Sequence, residues 1–215
     1  MKKTLRSESR IVIYLLKMKS NNVKEIKTNQ SEIILDTIKD SIIVINEIKN
    51  ISKDITQVVN QIVKCISNGK KIVIFGNGGS AAIASHFSVD LTKNAKIRCL
   101  NFNEASLITC FANDYGFEHW AEKAIGFYGN EGDLLIVISS SGQSKNMINA
   151  VKAARNGNFH SVVTLSGFSE DNPLQKMGDI NLWVNNKSYN FVENIHQIWL
   201  LAVVDLVIGK REYSA

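Results

Sequence analysis

Four serines, Ser139, Ser140, Ser141 and Ser144, surround Gly142 in the stretch "SSSGQS", immediately before a run with helical spacing. Small hydroxyl residues let side-chain O–H and backbone N–H groups converge on one anion, and the positive end of a helix dipole adds to the attraction. The composition is that of a phosphate cradle. Ser144 alone could be a plain helix cap, but capping leaves the three serines before it unexplained. A second small-residue turn, "GNGGS" at Gly76–Ser80, follows a short apolar run, and a third, "LSGFS", covers Leu165–Ser169. Two further groups carry proton chemistry. His86 and Asp90 are four apart and share a face of one expected helix, and Glu193, His196 and Gln197 are neighbours on another. Histidines and carboxylates so placed suit proton transfer.

These residues need elements to position them. Short, nearly continuous apolar runs predict strands at 71–75, 97–102, 133–138, 161–165 and 180–184, each covered on both faces. They alternate with helical patterns at 79–92, 104–113, 117–125, 144–156 and 190–208. Repeated βα units predict an α/β fold: an open, doubly wound, five-stranded parallel sheet flanked by helices. Such a sheet binds ligands at the carboxyl ends of its strands, where all three turns fall. Isoleucines at 33, 34, 38, 42, 43, 45 and 48, then the apolar run from Ile55 to Ile66, predict two helices ahead of the first strand. Residues 1–30 are basic and weakly periodic and read as an arm, with the main domain at 31–215.

Gly76, Gly78 and Ala81 fit the loose G-x-G-x-x-A pattern of dinucleotide folds. That pattern expects an acid about 20 residues on, closing the next strand on a ribose. The next strand leads instead to Asn101 and Asn103, with Glu104 placed to start a helix. No dinucleotide is expected; a phosphate monoester is.

Taken together, "GNGGSAAIASHF", "CFANDYGF", "ISSSGQSKNMINAV" and "NFVENIHQIW" resemble the sugar isomerase (SIS) domain superfamily over about Ser31 to Lys210. Within it the similarity is to sedoheptulose 7-phosphate (phosphoheptose) isomerases and to their non-enzymatic relative that binds the bacterial replication initiator. The resemblance implies a homotetramer with sugar phosphate sites built between subunits. By position, Ser80 and the serines 139, 140, 141 and 144 match those that hold the phosphate. Asn77, Gly78 and Asp114 match positions near the rest of the substrate.

In the isomerases a histidine and a glutamate on the first helix, with a glutamine and a histidine on the last, surround the reacting carbons and can ligate zinc. Here His86 is kept, Asp90 replaces the glutamate, Glu193 replaces the glutamine, and Leu201 stands where the last histidine would be. Asp90 and Glu193 are then the candidate acid/base pair, and His86 a shuttle or ligand. His86, Asp90 and Glu193 would also give three donors suited to zinc. The same trio could instead close a polar network at a subunit contact. Two functions stay open: an aldose–ketose isomerase of heptose or surface-polysaccharide biosynthesis, or a binding protein, regulator or scaffold, that kept the fold and lost the reaction. Leu201 favours the second, and His86 with two carboxylates the first.

Composition narrows the setting. The 215 residues are 45% hydrophobic and 21% charged, a globular balance. The net charge of +5 arises largely from Lys2, Lys3, Arg6, Arg10, Lys17 and Lys19, with no basic run interleaved with aromatics, so nucleic acid is not an expected partner. Cys65, Cys99 and Cys110 lack metal-type spacing and read as reduced structural thiols, which fits the cytoplasm. The run Ile11–Leu16 is too short to span a membrane, and no membrane association is expected. His119 and His160 read as structural, and the apolar surface of Trp199, Leu200, Ala202, Val203 and Val204 as an oligomer contact.

Overall fold

The computed structural model describes residues 48–211, together with Leu35, Asp36, Ile38, Lys39 and Ile42. The chain divides into two compact units, residues 1–46 and 47–215. In the first, the described residues are helical, and Asp36 and Lys39 form an ion pair at 3.7 Å. The arm expected over residues 1–30 and most of the helix expected from Ile33 to Ile48 lie outside the described residues.

The second unit opens with α1 (Ile48–Ser67), whose Ile55, Val58, Ile62 and Cys65 recur at helical spacing and are all buried. Asn68 and Gly69 stop it, Gly69 at a φ of 70° that suits a residue without Cβ. The chain then alternates: β1 (Ile72–Phe75), α2 (Gly79–Lys93), β2 (Cys99–Asn101), α3 (Ala105–Tyr115) and α4 (Trp120–Tyr128). It continues through β3 (Leu134–Ser139), α5 (Lys145–Asn156), β4 (Ser161–Ser166), β5 (Ile180–Trp183) and α6 (Tyr189–Ile208). Among the described residues, the expected strands and the helices from Ile48 onward are all present. The largest shift is at α4, expected from residue 117 and observed from Trp120, because the His119 N–H donates to the Gly116 carbonyl and spends those residues on a turn.

All pairings are parallel, in the order β2-β1-β3-β4-β5. β1, β3 and β4 are buried along their whole length, as central strands with helices on both faces must be. Val73, Phe75, Leu135 and Val137 form one core with Trp120 of α4 and Met147 and Val151 of α5. The opposite side is covered by α1 and α2, which pack on the sheet, with α6 packed against both helices.

α6 is long and, at a mean hydropathy of 1.6, apolar enough to cross a bilayer by composition, but much of that apolarity is core. Trp199 is 7% exposed, and Leu200, Val203 and Val204 are fully buried. The oligomer contact expected of this face is therefore corrected: it packs inside the chain, where each buried aliphatic contributes about 1.5–3 kcal/mol. The exposed apolar residues of α6 are Tyr189, Ile198 and Leu206. Cys65 and Cys99 are buried thiols, as expected, whereas Cys110 is exposed and points its Sγ at Asp114 Oδ2, 3.7 Å away.

Candidate functional site

The strand order reverses direction between β1 and β3: the chain runs outward from β1 to β2, then returns across β1 to β3. At such a switch point the connections leave on opposite faces and open a crevice at the carboxyl ends. Phe75 pairs with Val137, so the turn after β1 and the turn after β3 emerge side by side. Sequence chemistry and topology coincide here, since these are the "GNGGS" and "SSSGQS" turns.

Together they line one hollow of about 290 Å³, bounded by Asn77, Gly78, Gly79, Ser80, Ser139, Ser140, Ser141 and Ser144, with Tyr189 and Glu193 from α6. Gly78, at a φ of 54°, turns the chain into α2 and brings the first helical N–H groups to the hollow. Ser80 and Ser139 are nearly buried. The Ser139 hydroxyl donates to Ser144 Oγ at 3.1 Å, and the Gln143 N–H donates to Ser141 Oγ at 3.3 Å. Ser144 occupies the N-cap position of α5, yet its side chain caps nothing there. Ser140, 4% exposed, has a buried Oγ with no hydrogen-bond partner among the described residues. A buried orphan hydroxyl costs free energy unless something meets it, and it lines a hollow edged by helix N-termini.

Glu193 stands at the same hollow. Its carboxylate lies over Gly79, so close that a methyl group on that glycine would strike it. It has no hydrogen-bond or ion-pair partner among the described residues, and partial burial pushes its pKa up. His86 and Asp90 do meet, Nε2 to Oδ2 at 3.2 Å, and Gln197 Nε2 lies 3.1 Å from His86 Nδ1. Gly79 and Asp90 are eleven residues apart on α2, about 16 Å along its axis. Within a single chain, then, Asp90 and Glu193 stand at different points along α2. Among the described residues of this one chain, no three His, Cys, Asp or Glu side chains come together to hold a metal. His86 and Asp90 supply two donors and Glu193 stays with the serines.

Asn77 forms a reciprocal amide pair with Asn146 of α5, at 3.0 and 2.8 Å. This pair divides the serine hollow from a second one of about 420 Å³, lined by Asn77, Gly116, Phe117, Glu118, Ser144, Lys145 and Asn146. Asp114, expected near sugar hydroxyls, is exposed at the end of α3, takes an amide bond from Asn113 at 2.9 Å, and lines neither hollow. Sequence reasoning missed Asn146 and Tyr189. Nothing local marks them, since each reaches the site through packing between distant elements. Asn101, where a ribose acid would stand, instead donates to Ser88 Oγ at 2.6 Å. His119 has the partners the sequence did not reveal, Glu122 at 2.8 Å and Glu118 at 3.5 Å. His196 is fully buried against the Ser166 carbonyl, 3.1 Å away, in the packing role expected of it.

Residues 38–167 match the SIS domain family model. A phosphoheptose isomerase of Fusobacterium nucleatum is 34% identical over 159 residues, spanning 71% of this chain and 80% of that protein. One from Neisseria gonorrhoeae is 38% identical over 117 residues, which span 52% of this chain and 59% of the relative. The solved structure of a phosphoheptose isomerase from the same organism superposes with a TM-score of 0.79 at 30% identity, covering 84% of this chain and 99% of that one. With a five-stranded parallel sheet and a hydroxyl-lined hollow at its switch point, the chain belongs to the SIS domain family, alongside its phosphoheptose isomerases.

Proposed function

We propose that this protein is an aldose–ketose isomerase of sugar phosphates, with sedoheptulose 7-phosphate as substrate, working in the cytoplasm as a homotetramer. The observation that carries the reading is the convergence of Ser80 and the serine loop on one hollow with an unpaired carboxylate, Glu193, at its edge. The serines and the α2 and α5 N-termini hold the phosphate, and Asn77 contacts the sugar. In the forward direction a proton leaves C1 of the ketose and returns at C2, while a proton moves from O1 to O2. Glu193 is the group placed to carry the carbon-bound proton. The desolvation that raises its pKa brings it nearer the pH at which a general base serves best.

Within one chain, His86 pairs with Asp90 and Gln197 and not with Glu193. His86 and Asp90 serve a ligand held by a neighbouring subunit, and Asp114 likewise meets a sugar across an interface. Exposed Val89, between His86 and Asp90, together with Phe117 and Phe127, supplies apolar surface for that assembly. A second reading, a sugar-phosphate-binding regulator or scaffold without turnover, is favoured by Leu201 in the place of the family's histidine. The purified protein, with and without added zinc, is incubated with sedoheptulose 7-phosphate while aldoheptose phosphate is followed and binding is measured. Formation of the aldose is the expected outcome. Binding without turnover selects the regulator, and absence of both removes the two readings together.

A further inference from the structure

The third small-residue turn, Leu165–Ser169, lines neither hollow, yet its backbone reaches the serine loop from behind. The Gly167 N–H donates to the Ser140 carbonyl at 2.9 Å, and farther along the Leu174 N–H donates to the Gly142 carbonyl at 3.1 Å. Between these two bonds sits Asn172, 1% exposed, with its side chain filling the space where Gly142 would carry a Cβ. Its amide nitrogen donates to Ser166 Oγ at 3.1 Å and to the Ser169 carbonyl at 2.8 Å, and its Oδ1 accepts from the Gln175 N–H at 2.9 Å. Gly142, at a φ of 65°, allows both the turn of the serine loop and this close approach.

The far end of the turn is keyed into α6. His196, fully buried, sets its Nε2 3.1 Å from the Ser166 carbonyl, and only a donating Nε2–H suits that acceptor. Burial lowers its pKa to about 4, so the ring is neutral and keeps this tautomer. Phe168 adopts a positive φ of 60°, which a bulky residue tolerates only when its surroundings over-determine it. Its N–H donates to the Asn186 carbonyl at 2.9 Å, and its ring stacks edge-on, at 4.8 Å, against Tyr189, which lines the hollow.

We propose that the Ser166–Asn172 turn, keyed by the buried His196, is a positioning brace that holds the serine loop in its phosphate-binding shape. The inference rests on the phosphate reading of the hollow. A cradle of small donors binds well only if the donors are fixed before the anion arrives. The brace takes the carbonyls of Ser140 and Gly142 and leaves the Ser140 hydroxyl to the ligand.

The test measures binding of inorganic phosphate and of sedoheptulose 7-phosphate to the full-length protein, well below its unfolding temperature. His196→Leu is expected to weaken both about tenfold, the scale of one hydrogen bond lost from the fixed donor set. His196→Gln, which can restore a donor to the Ser166 carbonyl, stays within about threefold of wild type. Leu200→Ala, a fully buried truncation on the same helix, lowers stability and leaves both affinities unchanged. A folded His196→Leu protein with wild-type affinity overturns the proposal, as does a Leu200→Ala loss equal to that of His196→Leu. Should His196→Leu not fold, Asn172→Ala asks the same question from the other end of the brace, with the same tenfold loss expected and unchanged affinity overturning it. A wild-type protein that binds neither ligand removes the phosphate reading and the brace with it, a result read before any variant is made.

Discussion

Two polar clusters, one at each end of the sheet, are treated in opposite ways. At the amino end, Asp133 is 1% exposed and fully occupied: its carboxylate accepts from the Lys71 N–H at 3.1 Å, the Lys71 ammonium at 2.5 Å and the Asn130 N–H at 2.8 Å. Lys71 in turn donates to Asn130 Oδ1 at 2.6 Å. At the carboxyl end, the Ser140 hydroxyl and the Glu193 carboxylate have no partner among the described residues. Buried polar groups are ordinarily satisfied, so the two patterns mean different things. A closed network ties strand starts together, whereas open hydrogen-bonding capacity beside a hollow waits for a ligand. A carboxylate at each end of one sheet is thus closed into a network in one place and left open in the other.

The sharpest way to break this contrast is at Asp133. Asp133→Ala leaves the Lys71 ammonium, itself 8% exposed, without its counter-charge. Removing one partner of a buried pair costs about 3–5 kcal/mol. Urea unfolding of the variant should show that loss, while phosphate affinity measured at low temperature stays at the wild-type value. A variant that kept its stability and lost its ligand would put function at the wrong end of the sheet.

Next in size is the cradle itself. Ser141→Ala with Ser144→Ala removes two hydroxyls that a phosphate would meet, and hydrogen bonds to charged groups are worth about 1.5–3 kcal/mol each. Phosphate affinity, followed by calorimetry, should fall at least about 30-fold, allowing for water that partly replaces the lost donors. Stability should move by about 1 kcal/mol or less, since the one partner left behind, the Ser139 hydroxyl, faces the hollow where water can meet it. Equal affinity in the double variant would leave the hollow without a reason for its serines.

How much of this could be read from residues alone follows from range. β1, β3 and β4 were legible because a strand buried on both faces must be apolar throughout, a purely local demand. The serine loop was legible because its residue types have few other uses in that number. The separation of Asp90 from Glu193 was not, because it depends on how α6 lies along α2, which spacing within either helix does not encode. Trp199 and Leu200 were misread for the same kind of reason: an apolar helix face is the same sequence whether a subunit or the chain's own α1 and α2 cover it. Asn172 and Asn146, both nearly buried, are ordinary loop and helix-start residues until the fold brings them against Gly142 and Asn77.

The smallest expected effect is also the most direct reading of the unpaired carboxylate. Glu193 ionised repels an anion in the hollow; Glu193 protonated does not, and as a neutral acid it can donate. Desolvation raises its pKa, so between the unfolded and folded values the folded protein holds more protons than the unfolded chain. This group's contribution to stability is therefore fully present below the unfolded pKa and is lost as pH rises through the folded one. Anion affinity follows the same sign. Sulfate, a dianion across this range, separates the protein's titration from that of phosphate. Wild-type affinity for sulfate should rise several-fold as pH is lowered through the carboxylate's transition, the scale of one partly screened charge. Glu193→Gln should bind as tightly at pH 8 as the wild type does at low pH, with a flat profile. The neighbouring titratable groups of α2 and α6, His86, Asp90 and Tyr189, are unchanged in the variant, so any slope that survives belongs to them. A profile that Glu193→Gln does not flatten would detach the carboxylate from the anion hollow and return it to the role of a bystander over Gly79.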